Sequence, residues 1–302
     1  MECDVVKSDR PLGAEVVNID LSRPLSDRQV SEVLDAWHDN LVLLFRGQSL
    51  SDEDLLRVAQ SFGGAQVAGS RGYYVKAGFD TKSGRVSALP GISIISNLDK
   101  DGKPVDFHAG TGSQPLGWHT DNSYVETPPK GSILYGLRTP VDGGGNTSFA
   151  NQYIAYETLP EATKARIEGL HVKHDTSRNT AGNLRPTADL PSTYEEVVGP
   201  VHPVVRMHPA TRRRALYLGR RYTCPSSYIV EMPNAEGEAL LDELWAHATD
   251  ESLTWTQRWQ PGDVLMWDNR CVMHARSPID SNQPREMHRT LIAGEPVASA
   301  WG

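Results

Sequence analysis

The stretch GWHTDNSYVETPPKG, Gly117 to Gly131, sets an imidazole two residues before a carboxylate and then breaks into a turn at Pro128-Pro129. On an extended strand residues i and i+2 face the same side, so His119 and Asp121 are placed to share one metal ion. A His-x-Asp pair alone is a weak signal, because it arises easily by chance. It also needs a third donor. Far downstream, GDVLMWDNRCVMHARSPIDSNQPREMHRTLIAGE, Gly262 to Glu295, reads as a strand followed by His274 and then by Arg285 and Arg289. His119, Asp121 and His274 together make a two-histidine, one-carboxylate face with three positions left open. That donor set suits non-haem Fe(II) and O2 chemistry.

Outward from this stretch the chain alternates short helices and strands, then turns mostly to strands. LSDRQVSEVLDAWHDN predicts a helix. Ser26 caps it, Gln29 reaches back, and Val30, Val33, Leu34 and Trp37 recur at helical spacing. LVLLF, Leu41 to Phe45, follows as a buried strand. Ser51 caps a second helix with Asp52, Glu53 and Asp54 in its first turn and Gly63 at its end. Two more helices are expected over about 160–168 and 236–248. SILYGL, VHPVVRM, RALYL, GDVLMWDN and HRTLIAG are the clearest strands. Two turn-rich stretches, about 65–117 and 174–200, are expected to be long active-site or lid loops. No repeat or low-complexity linker divides the chain, so a single domain over 1–302 is expected. Its order of elements is that of an α+β protein built around a β-sandwich or barrel.

The 302 residues carry a formal charge of −8, which gives no support for nucleic-acid or membrane-surface binding. An acidic chain still binds an anion where its arginines converge. Three scattered cysteines, Cys3, Cys224 and Cys271, form no CxxC pair and fit a reducing compartment. With no apolar leader at Met1 and no run long enough to span a bilayer, the expected location is cytoplasmic. His171 and His174 form an H-x-x-H pair, for which a solvated strand end is the favoured reading over a second metal site.

Taken in order, WHTD at Trp118–Asp121, GDVLMWDNR…H at Gly262–His274 and R…HRT at Arg285–Thr290 carry a resemblance. Over essentially its whole length the chain resembles the TauD/TfdA family of Fe(II)- and 2-oxoglutarate-dependent dioxygenases. The resemblance implies a double-stranded β-helix, or jelly roll, with flanking helices. It also implies His119, Asp121 and His274 as iron ligands and Arg285 as the partner of the distal 2-oxoglutarate carboxylate. A planar guanidinium fork suits that task. Thr147, in a loop with three glycines where the family has two, matches the threonine that assists this carboxylate. Arg289 matches a second arginine of the site, which in the taurine enzyme faces the substrate sulfonate. The implied reaction consumes O2 and 2-oxoglutarate, releases succinate and CO2, and hydroxylates an unactivated C–H of a small organic substrate. Homodimers or homotetramers are the assemblies the resemblance suggests.

Alternatives remain open from the residues themselves. The same site can run desaturation, cyclisation or C–X cleavage. A zinc hydrolase can use His-x-Asp plus His, and a silent jelly-roll binding protein needs no chemistry. Taurine is not the expected substrate. The taurine enzyme has a histidine after its second helix and an asparagine just before its Trp-His. This chain has no histidine between His38 and His108, and QPLG precedes Trp118. Tyr73, Tyr74, Val75 and Phe79 point instead to a larger, partly apolar or aromatic substrate. Arg178, Arg185, Arg220, Arg221 and Tyr222 could meet an anionic group, with a solvated surface the favoured reading. Tyr73, Tyr74, Arg221 and Arg289 are the candidate substrate contacts.

Overall fold

The computed structural model describes residues 3–67, 71–76, 78–81, 86–99, 101–105, 113–141, 143–185 and 188–301. Two largely antiparallel sheets carry the site. The larger has the strand order Asp4–Lys7, Ala14–Val17, Val42–Phe45, Val264–Asp268, Gly131–Arg138, Glu286–Ile292, Ala65–Gln66, and Ser93–Ser96 also pairs with Glu286–Ile292. Among the described residues its one parallel pair is Ala14–Val17 with Val42–Phe45. The smaller sheet runs Thr254–Gln257, Thr147–Asn151, Val272–Arg276, Leu116–His119.

Why LVLLF is apolar throughout follows from what covers each face. Leu43 and Phe45 pack with Val33, Trp37, Leu55 and Val58 of the two N-terminal helices, together with Met266 and Ile133. Val42 and Leu44 point the other way, with Leu265, Trp267, Phe149 and Val272, between the two sheets. A strand buried on both faces loses the polar alternation of a half-exposed one. The helices start as their sequences dictate. Asp27–Asn40 is capped by Ser26 and Asp52–Ser61 by Ser51, each with a reciprocal bond from the third helical residue, Gln29 and Asp54. Such caps contribute about 1 kcal/mol each.

The later helices are Glu161–Ile167 and Asn234–Ala248, the second starting two residues before the expected boundary, directly after Pro233. A helix at Gln152–Glu157 is too short to show a period in the sequence; Asn151 caps it. VHPVVRM is two strands, Val201–Pro203 and Val205–Met207, in different sheets. The stretch 65–117 lies partly outside the described residues, and its described part is not all loop. It includes a helix, Arg71–Lys76, and the strand Ser93–Ser96. No described helix is long and apolar enough to cross a membrane.

Candidate active site

His119 ends one strand of the smaller sheet and His274 lies in the middle of its neighbour. The register pairs the two residues directly, and their ring centroids are 4.0 Å apart. Long-range pairing thus joins residues far apart in sequence. Asp121 comes from elsewhere than expected. The strand stops at His119, so the carboxylate is delivered by the turn that follows rather than by strand alternation. Asn269 holds that turn: its Oδ1 accepts from the Asp121 backbone N–H at 2.9 Å, and its Nδ2 donates to the Asp121 carbonyl at 2.8 Å. Ser132 donates to Asp121 Oδ2 at 2.8 Å. Asn269 lies within the GDVLMWDNR stretch, where the sequence assigns it no role, and Ser132 carries no motif.

Asp121 Oδ1 lies 3.8 Å from His119 Nε2 and 3.9 Å from His274 Nε2. One donor atom from each of the three residues falls within 4.8 Å of the others. Donors about 2.1 Å from a shared ion and about 90° apart, as a facial set needs, lie about 3 Å from one another, so the side chains draw together by about 1 Å or more onto one metal. His119 donates its Nδ1 proton to the Gly117 carbonyl at 2.8 Å, which leaves the Nε2 lone pair facing Asp121. Burial draws His274 down to about 4 and His119 well below its ordinary value, so both imidazoles are neutral, as ligands must be. Burial alone would raise the Asp121 carboxyl, but Arg289 and the two imidazoles hold it well below the usual range. The donor set and its protonation fit a divalent cation.

The same cavity holds the other expected residues. Thr147 begins its strand, is buried, and accepts a bond from Trp259 Nε1 at 2.9 Å. Arg285 precedes the strand Glu286–Ile292. Its backbone N–H donates to Asn97 Oδ1 at 2.8 Å, and its guanidinium faces the cavity with Nε unpartnered among the described residues. Burial, with the like charge of Arg276 beside it, pushes Arg285 well below its ordinary value. Burial brings Arg276 down to about 10. Two cations in one dry corner fit an anion there. Arg289 directs Nη1 at both oxygens of Asp121, at 2.9 and 3.1 Å.

Of the expected substrate contacts, Tyr74 lines the cavity, whereas the Tyr73 side chain lies outside the described residues. Arg221 is corrected: it turns away and pairs with Glu238 at 2.9 Å and with Asp242. Its neighbour Arg220 is the one on the cavity, 5% exposed. Arg185 is also buried there, so neither arginine sits on the solvated surface that was favoured. His174 is likewise not at a solvated strand end but 1% exposed, while His171 pairs with Glu231 at 2.7 Å. A second group, His208, Asp268 and Cys271, clusters beneath the site. Its carboxylate is already held by Arg270 at 2.7 and 2.8 Å and by His208 at 3.0 Å, which makes it an ion-pair brace for the turn between Trp267 and His274.

Comparison with known proteins gives the family. Residues 4–291 match the model of the taurine catabolism dioxygenase TauD, TfdA family. The α-ketoglutarate-dependent 2,4-dichlorophenoxyacetate dioxygenase of Cupriavidus pinatubonensis is 32% identical over 94% of this chain and 95% of its own. The α-ketoglutarate-dependent sulfate ester dioxygenase of Pseudomonas putida is 31% identical over 98% of this chain and 91% of its own. The crystal structure of AAD-2 in complex with Mn(II) and N-oxalylglycine superposes with a TM-score of 0.75 at 30% identity, covering 99% of this chain and 100% of that one.

Proposed function

The chain belongs to the taurine catabolism dioxygenase TauD, TfdA family, and from that premise we propose that it hydroxylates an unactivated C–H of a small anionic organic substrate, using Fe(II), O2 and 2-oxoglutarate. Its class is that of an α-ketoglutarate-dependent dioxygenase of small organic molecules. The observation that carries the finer reading is a single cavity lined by His119 and His274, by Thr147 with Arg285, and by Arg289 and Arg220. The metal ligands and Arg285 suit the two ends of a keto dicarboxylate, and the lining at Tyr74, Tyr124, Arg185 and Arg220 leaves room for an organic anion beside it. The substrates named for the two relatives, an aryloxyacetate and sulfate esters, share an apolar body with an anionic end.

His119, Asp121 and His274 would hold the iron. When bound, the iron supplies the redox chemistry that couples O2 to oxidative decarboxylation of the keto acid. Arg285 binds the distal carboxylate of 2-oxoglutarate in a water-poor corner, where charge-assisted bonds are strong. Thr147, its hydroxyl oriented by Trp259, assists there. Arg289 keeps Asp121 ionised and fixes its direction. Leu134 and Trp267 close the wall behind His274 and limit water, which protects the reaction from side paths. The two large sheets form the faces of a double-stranded β-helix, and 1–302 is one dioxygenase domain. The described parts of 65–117 and 174–200 reach the cavity through Tyr74, Leu116, Asn179, Thr180 and Arg185. A zinc hydrolase would leave Arg285 without a task.

The test is a screen of aryloxyalkanoates, alkyl sulfates and alkyl sulfonates on Fe(II)-loaded protein, reading succinate, O2 uptake and product mass together. The expected result is one succinate per turnover and a gain of one oxygen atom over the summed products. A hydroxyl placed on the carbon bearing the aryloxy, sulfate or sulfonate group expels that group and leaves a carbonyl compound. Loss of two hydrogens would replace hydroxylation by desaturation, and turnover without O2 would refute the assignment.

A further inference from the structure

The described lining of this cavity contains five arginines, at positions 185, 220, 276, 285 and 289, and no aspartate or glutamate. Arg276 and Arg285 occupy the co-substrate end. Arg289 is engaged with Asp121. Arg185 and Arg220, both 5% exposed, share one aromatic ring: their guanidinium carbons lie 4.0 and 4.5 Å from the centroid of Tyr124. Tyr124 is itself fixed, its hydroxyl donating to Asn122 Oδ1 at 2.8 Å. Two like charges stacked on one ring in a buried corner repel each other, and the ring offsets only about 1–2 kcal/mol per cation. An organic anion between them would offset that repulsion.

Arg220 is aimed by the backbone that carries it. Gly219 has φ +73°, and a Cβ there would lie 2.2 Å from His174 Nδ1. A side chain at 219 would therefore push this turn off the cavity wall. The Gly219 carbonyl accepts from the Thr120 backbone N–H at 2.9 Å, so the turn is tied between His119 and Asp121. Arg220, His119 and His274 line the same cavity. A purely structural arginine of this burial would be consumed by carbonyls, as Arg185 Nε is by the Arg178 carbonyl at 3.0 Å. Arg220 Nε and Nη1 have no hydrogen-bond partner among the described residues.

We propose that Arg220 is a specificity-determining residue that binds the anionic group of the organic substrate, with Arg185 beside it on Tyr124, while Arg289 serves Asp121. The inference rests on reading this cavity as the substrate site of a dioxygenase. The ligand chemistry is an organic oxyanion, carboxylate or sulfo. The apolar body of the molecule then lies toward Tyr74, Ile94 and Leu116 of the same lining. Arg220 rather than Arg221 is the arginine that reads charge, although the two are adjacent.

Isothermal titration of the Fe(II)-loaded protein under anaerobic conditions, with and without 2-oxoglutarate, tests this with three probes: phenoxyacetate, pentane-1-sulfonate and neutral phenoxyacetamide. Wild type is expected to bind at least one anion more tightly than the amide, and which anion distinguishes carboxylate from sulfo. Arg220→Gln weakens that anion about tenfold or more, the loss expected when a charge-assisted bond is removed. It leaves the amide and 2-oxoglutarate unchanged, and Arg220→Lys restores part of the loss. Arg220→Met, which keeps the stem on Tyr124, gives the same pattern should the Gln variant not fold. Equal loss of anion and amide, anion binding unchanged by Arg220→Gln, or no anion preference in wild type each overturns the proposal. The 2-oxoglutarate titration of wild type is the separate arm: failure there strikes the dioxygenase reading and leaves the Arg220 comparison standing.

Discussion

Replacing Gly145 by alanine probes the co-substrate end without replacing any proposed contact residue. Gly145 has φ +69°, and a Cβ built there lies 2.9 Å from Arg285 Nε, 3.0 Å from Arg285 Cδ and 3.0 Å from Ile279 Cγ1. Two effects add. The left-handed backbone costs an L-residue about 1–2 kcal/mol, which lowers the melting temperature by a few degrees in a chain of this size. The contact forces the buried Arg285 stem to yield by several tenths of an ångström, which misaligns the fork it offers to a carboxylate. Loss of one charge-assisted bond is worth about 1.5–3 kcal/mol, or about 10- to 100-fold in affinity. Gly143 supplies the control: its φ is +80° and a Cβ added there meets nothing within 4 Å among the described residues, so Gly143→Ala carries the strain without the contact. The assay is succinate release as a function of 2-oxoglutarate, with thermal denaturation alongside. Gly145→Ala should raise KM for 2-oxoglutarate by at least about tenfold with KM for the organic substrate unmoved, and Gly143→Ala should only lower the melting temperature. Equal 2-oxoglutarate KM in the two variants would refute the placing of that carboxylate on Arg285.

Other outcomes follow from the same geometry. Asn269→Ala removes two buried hydrogen bonds from the Asp121 turn, so stability should fall by about 2–4 kcal/mol; metal affinity falls with it, and unchanged iron binding by titration would separate that turn from the site. Arg221→Gln should leave substrate and co-substrate KM untouched, because its partners Glu238 and Asp242 lie outside the cavity lining, and a raised substrate KM would contradict this. Metal-free protein should lose stability as pH falls from about 6.5 to about 4. Burial holds His119, His174, His202 and His274 below 6.5 in the fold, so the unfolded chain takes up protons that the folded chain refuses. The slope is up to about 1.4 kcal/mol per pH unit for each such histidine, and chemical denaturation at a series of pH values that gave a flat profile would exclude it.

Much of this is legible in the sequence because it is local. The Ser26 and Ser51 caps depend on residues three apart, and the doubly buried LVLLF declares itself by lacking alternation. The His119, Asp121, His274 and Arg285 set is legible for a different reason: chemistry restricts the residue types, and their order along the chain is fixed. What the sequence hides is set by contacts across long separations. Asn269 bonds Asp121 from 148 positions away, and Ser132 meets the same carboxylate from another strand. Arg220 and Arg221 are indistinguishable as letters. The turn at Gly219, pressed against His174 and tied to Thr120, decides which one looks inward. The H-x-x-H pair misleads because a strand end beside a polar loop reads as solvated, whereas His202, Tyr217 and the Gly219 turn pack against the His174 ring.

The most direct measurement is anaerobic titration of the protein with Fe(II) in the presence of 2-oxoglutarate, following the visible charge-transfer absorption of the chelate. One iron per chain with that absorption is the result expected for wild type, and neither should survive in His119→Ala, Asp121→Ala or His274→Ala. Full absorption retained in His274→Ala would show that these three side chains do not hold a common ion.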